Sequence, residues 1–187
     1  TMGLAEVDTS AAGADDDISI DASAFSGSLT IATGAGNDTI TLGSAGSTVT
    51  SGLGDDTVSA GASADDIATG AGDDTINVTA STIAAAIDGG SNTGSGDTLR
   101  VTGGGGVLMG NSVINVENVT LVSATDFIAN GISGLAITGS AGNDIVHVGA
   151  GDQVIAGAGG DDIIDVEDSE LTAALFVDGG AHSSGDI

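Results

Sequence analysis

The sequence contains no cysteine and no lysine, and its 187 residues include a single strong base, Arg100. The lack of cysteine removes any disulfide framework or thiolate centre, and the lack of lysine excludes a P-loop. Against that one base stand 27 acidic residues, a formal net charge of −26. Nucleic acid needs basic groups to neutralise its phosphates, so it is disfavoured as a partner, and anionic membrane is disfavoured for the same reason. No apolar run approaches the length of a membrane span, and residues 1–20 lack the charged-then-apolar plan of a signal peptide. Aromatic residues make up 2 % of the chain while 33 residues are glycine. Bulky material for a conventional globular core is therefore scarce, which argues against a globular enzyme.

What the chain does have is period. The hydrophobic content is 40 %, mostly small aliphatic residues placed at regular intervals, which argues against plain disorder. Three Gly-x-Gly-x-Asp turns, Gly34-Ala35-Gly36-Asn37-Asp38, Gly52-Leu53-Gly54-Asp55-Asp56 and Gly70-Ala71-Gly72-Asp73-Asp74, put Asp38, Asp56 and Asp74 18 residues apart. Each turn is followed at one offset by an aliphatic residue, Ile40, Val58 or Ile76, and Val49 and Ile67 fall at the midpoints, so the unit is nine residues. A second block repeats the pattern from Gly139 through Gly142-Asn143-Asp144 to Gly160-Asp161-Asp162, with Gln153 between the two aspartates.

A larger duplication overlies the nonapeptides. Leu29-Thr30-Ile31 before the first block matches Leu135-Ala136-Ile137 before the second, and each block is followed by an Ala-rich stretch and an Asp-Gly-Gly, at Asp88 and at Asp178. Gly96-Asp97 and Gly185-Asp186 close the two copies. The chain stops inside that second motif and reads as a piece of something longer. The expected organisation is a solenoid segment over 1–100 with a first block at 33–86, a metal-free connector over 101–138, and a truncated second block over 139–187. Val113–Val122 alternates with period two, as strands do, and is expected to continue the solenoid.

Turns of this composition suit calcium. Glycine at alternate positions permits left-handed backbone and leaves carbonyl oxygens unobstructed, and the following aspartate adds a charged oxygen; calcium takes about six to eight oxygen ligands. One turn cannot supply them all. If two nine-residue units make one circuit of a flattened parallel coil, turns 18 residues apart stack, and an ion between them can be shared by the pairs Asp38/Asp56, Asp56/Asp74 and Asp144/Asp162. The expected metal set is Gly34, Gly36, Asp38, Gly52, Gly54, Asp56, Gly70, Gly72, Asp74, Gly142, Asp144, Gly160 and Asp162. Each unit orders nine backbones for one obligatory aliphatic residue and stacks like charges, so calcium binding should be coupled to folding.

The pattern resembles the Gly-Gly-x-Gly-x-Asp-x-(large aliphatic)-x repeat of the RTX family, a calcium-binding parallel β-roll, over about 33–86 and 139–166. Thr33, Ser51 and Thr69 depart from it at the first glycine, Gln153 departs at an aspartate, and the alternate units around Ser47 and Asp65 lack most ligands, so the opposite edge is expected to bind little or no calcium. The resemblance implies an all-β, right-handed parallel β-solenoid containing RTX calcium rolls. The interleaving of calcium blocks with lysine-poor strand-forming stretches is most similar to bacterial S-layer proteins carrying RTX repeats. That resemblance implies a non-enzymatic, extracellular building block that self-associates into a lattice or filament and attaches to cell-surface polysaccharide. An adhesin stalk and the carboxy-terminal roll of a secreted hydrolase are the alternatives.

The remaining candidates have plainer readings. Asn37, Asp55, Asp73, Asn143 and Asp161 face solvent or brace their turns. Asp65 and Asp66 are open between ligand and turn residue, and Asp97 and Asp186 between ligand and strand cap. His147 and His182 lack the spaced partners of a zinc or catalytic site and read as surface residues. Phe25, Phe127 and Phe176 read as end plugs of solenoid segments.

Overall fold

Ile31, Ile40, Val49, Val58, Ile67 and Ile76 follow one another at nine-residue intervals, and all six are at most 3 % exposed. The cause is a coil that visits two sheets in each 18-residue circuit. The computed structural model describes residues 5–10, 16–79, 86–103, 106–109, 113–129, 134–148, 153–166 and 175–181, and the described residues form an all-β parallel β-solenoid. His182 and Asp186 lie outside the described residues.

The chain divides into two compact units, 1–99 with 112–116, and 100–111 with 117–187. In the first unit one sheet runs β1 (Ala5–Asp8), β3 (Leu29–Ala35), β5 (Thr48–Leu53), β7 (Asp66–Ala71), β9 (Ile87–Ser91), β12 (Val113–Ile114). The other runs β2 (Ser19–Asp21), β4 (Thr39–Thr41), β6 (Thr57–Ser59), β8 (Thr75–Thr79). The register is an 18-residue step: Ile31 pairs with Val49 and Val49 with Ile67, while Ile40 pairs with Val58 and Val58 with Ile76. Like residues therefore stack on like. Side chains alternate in and out with period two, and burying each of these aliphatics stabilises the coil by about 1.5–3 kcal/mol.

The second unit follows the same plan. One of its columns contains β10 (Thr98–Thr102), β13 (Asn118–Leu121), β15 (Ala136–Thr138), β17 (Val154–Ala156) and β19 (Phe176–Asp178), and the other β11 (Gly106–Met109), β14 (Asp126–Ala129), β16 (Ile145–Val148) and β18 (Ile163–Val166). Val119, Ile137 and Ile155 stack in register, all at most 1 % exposed. Two of the expected end plugs are corrected here. Phe127 is a core rung, fully buried and paired with Val146 in the middle of its sheet, because it falls on the inward phase of β14. Phe176 is 61 % exposed, on the outward phase of β19, opposite Val154.

Candidate metal centre

The corners between strands hold the polar chemistry. At the ends of β3, β5 and β7 the backbone enters its corner through a pair of glycines with positive φ, Gly34/Gly36, Gly52/Gly54 and Gly70/Gly72. The stacking needs glycine for space as well as conformation. A Cβ at Gly52 would stand 1.9 Å from Gly34 O, and one at Gly70 2.1 Å from Gly52 O, so the carbonyl oxygens of one corner point at the α-carbons of the next.

The aspartate ending each corner is buried: Asp38, Asp56 and Asp74 are each 1 % exposed. Its Oδ1 accepts a backbone N–H from the preceding circuit, Ile18 N–H to Asp38 at 2.8 Å, Asp38 N–H to Asp56 and Asp56 N–H to Asp74, both at 2.7 Å. The Oδ2 atoms of all three are buried without a hydrogen-bond partner. One residue earlier a second ladder runs the opposite way: Asn37 accepts from Asp55 N–H at 2.9 Å and Asp55 from Asp73 N–H at 2.8 Å. Asn37, Asp55 and Asp73 thus brace the corners.

At the first-glycine position of each unit stand hydroxyls whose role the sequence did not reveal. Thr33 and Ser51 are buried and donate to Ser51 O and Thr69 O at 2.9 and 3.0 Å, and Thr69 donates to Gly89 O at 2.8 Å. The Ser51 and Thr69 hydroxyls also stand beside Asp56 and Asp74, but one hydrogen cannot serve both acceptors, and the carbonyl takes it.

Burial without full compensation shows in the protonation equilibria. Desolvation raises the Asp56 carboxyl from 3.8 to about 6, opposed by the Asp38 N–H and reinforced by the charges of Asp74 and Asp38. Asp74 is raised for the same leading reason, opposed by Asp56 N–H. An isolated ionised carboxylate is costly in such surroundings.

Two other corners are closed. Asp65, on the opposite edge of the first unit, accepts Ser47 N–H and Gly61 N–H at 2.8 Å each, so both its oxygens are satisfied by backbone. Asp144 accepts Thr125 N–H at 2.8 Å on Oδ1, and on Oδ2 both the N–H and the hydroxyl of Ser140, at 2.7 and 2.9 Å. Serine at the second position of that unit makes the difference. Asp162 stacks on Asp144, its Oδ1 accepting Asp144 N–H at 2.9 Å, and its Oδ2 lies 2.5 Å from where a Cβ of Gly157 would be. Gly160 has φ +121, whereas Gly142 has no positive φ. Asn143 accepts Asp161 N–H at 3.0 Å and braces that corner.

His147 is not the isolated residue its sequence neighbours suggest. The 18-residue register places it opposite Asp165, with Nδ1 3.0 Å from Asp165 Oδ2 and Nε2 3.4 Å from Asp126 Oδ1. All three side chains are more than a third exposed.

The open corners fit a hard cation. Each offers a buried carboxylate oxygen without a hydrogen-bond partner, in a turn whose glycines bring the carbonyl oxygens of the neighbouring turn close, and calcium binds carboxylate and carbonyl oxygen. Among the described residues no three acidic or histidine side chains converge on a metal-sized point, so the donor set leans on backbone. Asp38, Asp56 and Asp74, with the carbonyls of their glycine turns, would hold the ion, which supplies the positive charge that the stacked carboxylates lack. A family model for the RTX calcium-binding nonapeptide repeat matches residues 30–45, 42–76 and 137–168. These segments carry the signature of the RTX calcium-binding nonapeptide repeat. The matched segments contain every glycine and aspartate named from the sequence as a ligand. Neither the curated proteins nor the solved structures yielded a match to the chain. Proteins with RTX repeats are generally secreted, and their calcium is a structural ligand.

Proposed function

We propose that this chain is a non-catalytic, calcium-stabilised segment of a bacterial surface protein, a building block that self-associates into an S-layer or surface filament. The observation that carries the reading is the column of buried carboxylate oxygens on Asp38, Asp56 and Asp74, which lack hydrogen-bond partners. Such a column disfavours the fold while empty and favours it once cations are bound, so the segment becomes rigid where calcium is abundant. Assembly follows from the same electrostatics. Copies carrying −26 each repel one another until cations neutralise them. The second unit presents the apolar pair Val154 and Phe176 outward on adjacent strands, 52 % and 61 % exposed, a surface for lateral packing.

The test is a calcium titration of the chelated chain, followed by far-UV circular dichroism and light scattering, with magnesium as the control. The expected result is a calcium-specific gain of β-structure followed by rising scattering. Gain of structure without scattering would replace the lattice by a monomeric stalk. A chain already folded in chelator would overturn the coupling to calcium.

A further inference from the structure

We propose that Gly89-Gly90 and Gly96-Asp97 form a further calcium corner, so that the first unit holds an ion seat between Asp74 and Asp97 that the repeat spacing conceals. The proposal rests on the calcium reading above. The repeat match in this region ends at residue 76, because the nonapeptide rhythm is broken: Gly90 pairs with Gly70 at a distance of 20 residues instead of 18, and Asp97 follows Gly90 by seven residues instead of four. In space the rhythm is intact.

Each element of an open corner has its counterpart. Gly90 pairs in register with Gly70 and carries φ +97, against +108 at Gly70. A Cβ on Gly90 would stand 1.9 Å from Gly70 O, the same approach that links Gly52 to Gly34. Gly89 takes the first position, and its carbonyl accepts the Thr69 hydroxyl at 2.8 Å just as Thr69 O accepts that of Ser51. Asp97 is fully buried, and its Oδ1 accepts Asp74 N–H at 2.8 Å, continuing the ladder through Asp38, Asp56 and Asp74. Its Oδ2 packs against Gly89, 2.5 Å from where a Cβ would be, an approach that only glycine permits.

The additional residues are carried outside the corner. Asp73 gathers the N–H groups of Thr93, Gly94, Ser95 and Gly96 at 2.7–3.3 Å, turning the insertion into a pinned loop that delivers Asp97 to the ladder. The pointer to an ion is Asp74 Oδ2. It is buried without a hydrogen-bond partner, next to Thr69, whose hydroxyl reaches across to Gly89.

Crystals of the wild-type chain grown in calcium, measured for anomalous scattering, test the seat directly. The expected map has a calcium peak within coordination distance of both Asp74 and Asp97 carboxylates. Peaks along Asp38, Asp56 and Asp74 with none at Asp97 would overturn the proposal alone; no peak anywhere along the column would overturn the calcium reading with it. In equilibrium dialysis against calcium, Asp97→Asn should bind one ion fewer than wild type while Asp66→Asn, on the outer face, keeps the full number. An unchanged count in a folded Asp97→Asn would also overturn it.

Discussion

Asp144 Oδ2 receives two hydrogen bonds from Ser140, while Asp74 Oδ2, at the same position of its own repeat, is buried without a hydrogen-bond partner. The two aspartates therefore answer differently to the loss of charge. Asp74→Asn keeps an oxygen for Asp56 N–H and removes an uncompensated charge, so the variant is expected to weaken calcium binding by at least about tenfold, or 1.4 kcal/mol. In chelator it should be no less stable than wild type. Asp144→Asn instead sets an amide against the donors of Ser140, and is expected to cost about 1–3 kcal/mol in chelator. Isothermal calorimetry and thermal melts with and without calcium measure both. Equal effects of the two substitutions in chelator would contradict the distinction between open and closed corners.

The Asp56 carboxyl, raised to about 6 against an ordinary 3.8, sets a pH dependence of definite sign. Below 3.8 the group is protonated folded or unfolded, and between 3.8 and 6 the folded chain holds the proton that the unfolded chain releases. The calcium-free fold therefore loses stability as pH rises through 6. Asp74 and Asp65, also raised, act in the same direction. Calcium competes with that proton, so its affinity should fall below pH 6, and binding at pH 5.5 should release protons. Calorimetry in buffers of different ionisation enthalpy reads the proton count directly. Zero release at pH 5.5 would contradict the burial of Asp56.

Gly52 tests the stacking itself. Alanine there would need φ +119 and would place its Cβ 1.9 Å from Gly34 O, a collision with backbone that no side-chain rotation relieves. Gly52→Ala is expected to cost several kcal/mol, since strain and a lost corner act together, and to abolish the calcium-induced gain of structure in the first unit. Gly134→Ala is the comparison: φ is also positive, +79, but no atom lies within 4 Å of the new Cβ, so the conformational penalty appears without the clash. Circular dichroism across a calcium series separates the two.

The coil was legible in the sequence because an 18-residue period, once wound, becomes the register: Ile40 lies over Val58 and Asp38 bonds to Asp56 because both pairs are one circuit apart. Equal spacing did not reveal unequal chemistry. Asp38 and Asp144 look alike in the string, and only Ser140 in place of a glycine signals that the second corner closes on its own donors. Asp97 stayed open between ligand and strand cap for the opposite reason, since an insertion breaks the count while the β7–β9 pairing restores the position in space. His147 was read beside its sequence neighbours, whereas its true neighbours, Asp126 and Asp165, come from adjacent circuits. Phe127 depended on strand phase, which a segment without glycine turns does not declare.

Asp73 opposes Asp56 in the acid response. Its exposed carboxylate accepts the four N–H groups of residues 93–96, which hold it down to about 2, with Ser95 the largest contributor and Gly94 next. With the folded value below the unfolded 3.8, its contribution is fully present above that range and lost as pH falls through 3.8 toward 2. Asp73→Asn replaces one accepting oxygen by a donor facing Ser95 N–H, so the loop should open while the aliphatic ladders stay formed. Amide hydrogen exchange is expected to accelerate at Thr93–Gly96 and to remain slow at Val49 and Val58. The variant's stability should also fall less steeply than that of wild type between pH 4 and 2. If the exchange of the 93–96 amides were unchanged, those bonds would not be what holds the loop, and the delivery of Asp97 to its corner would need another cause.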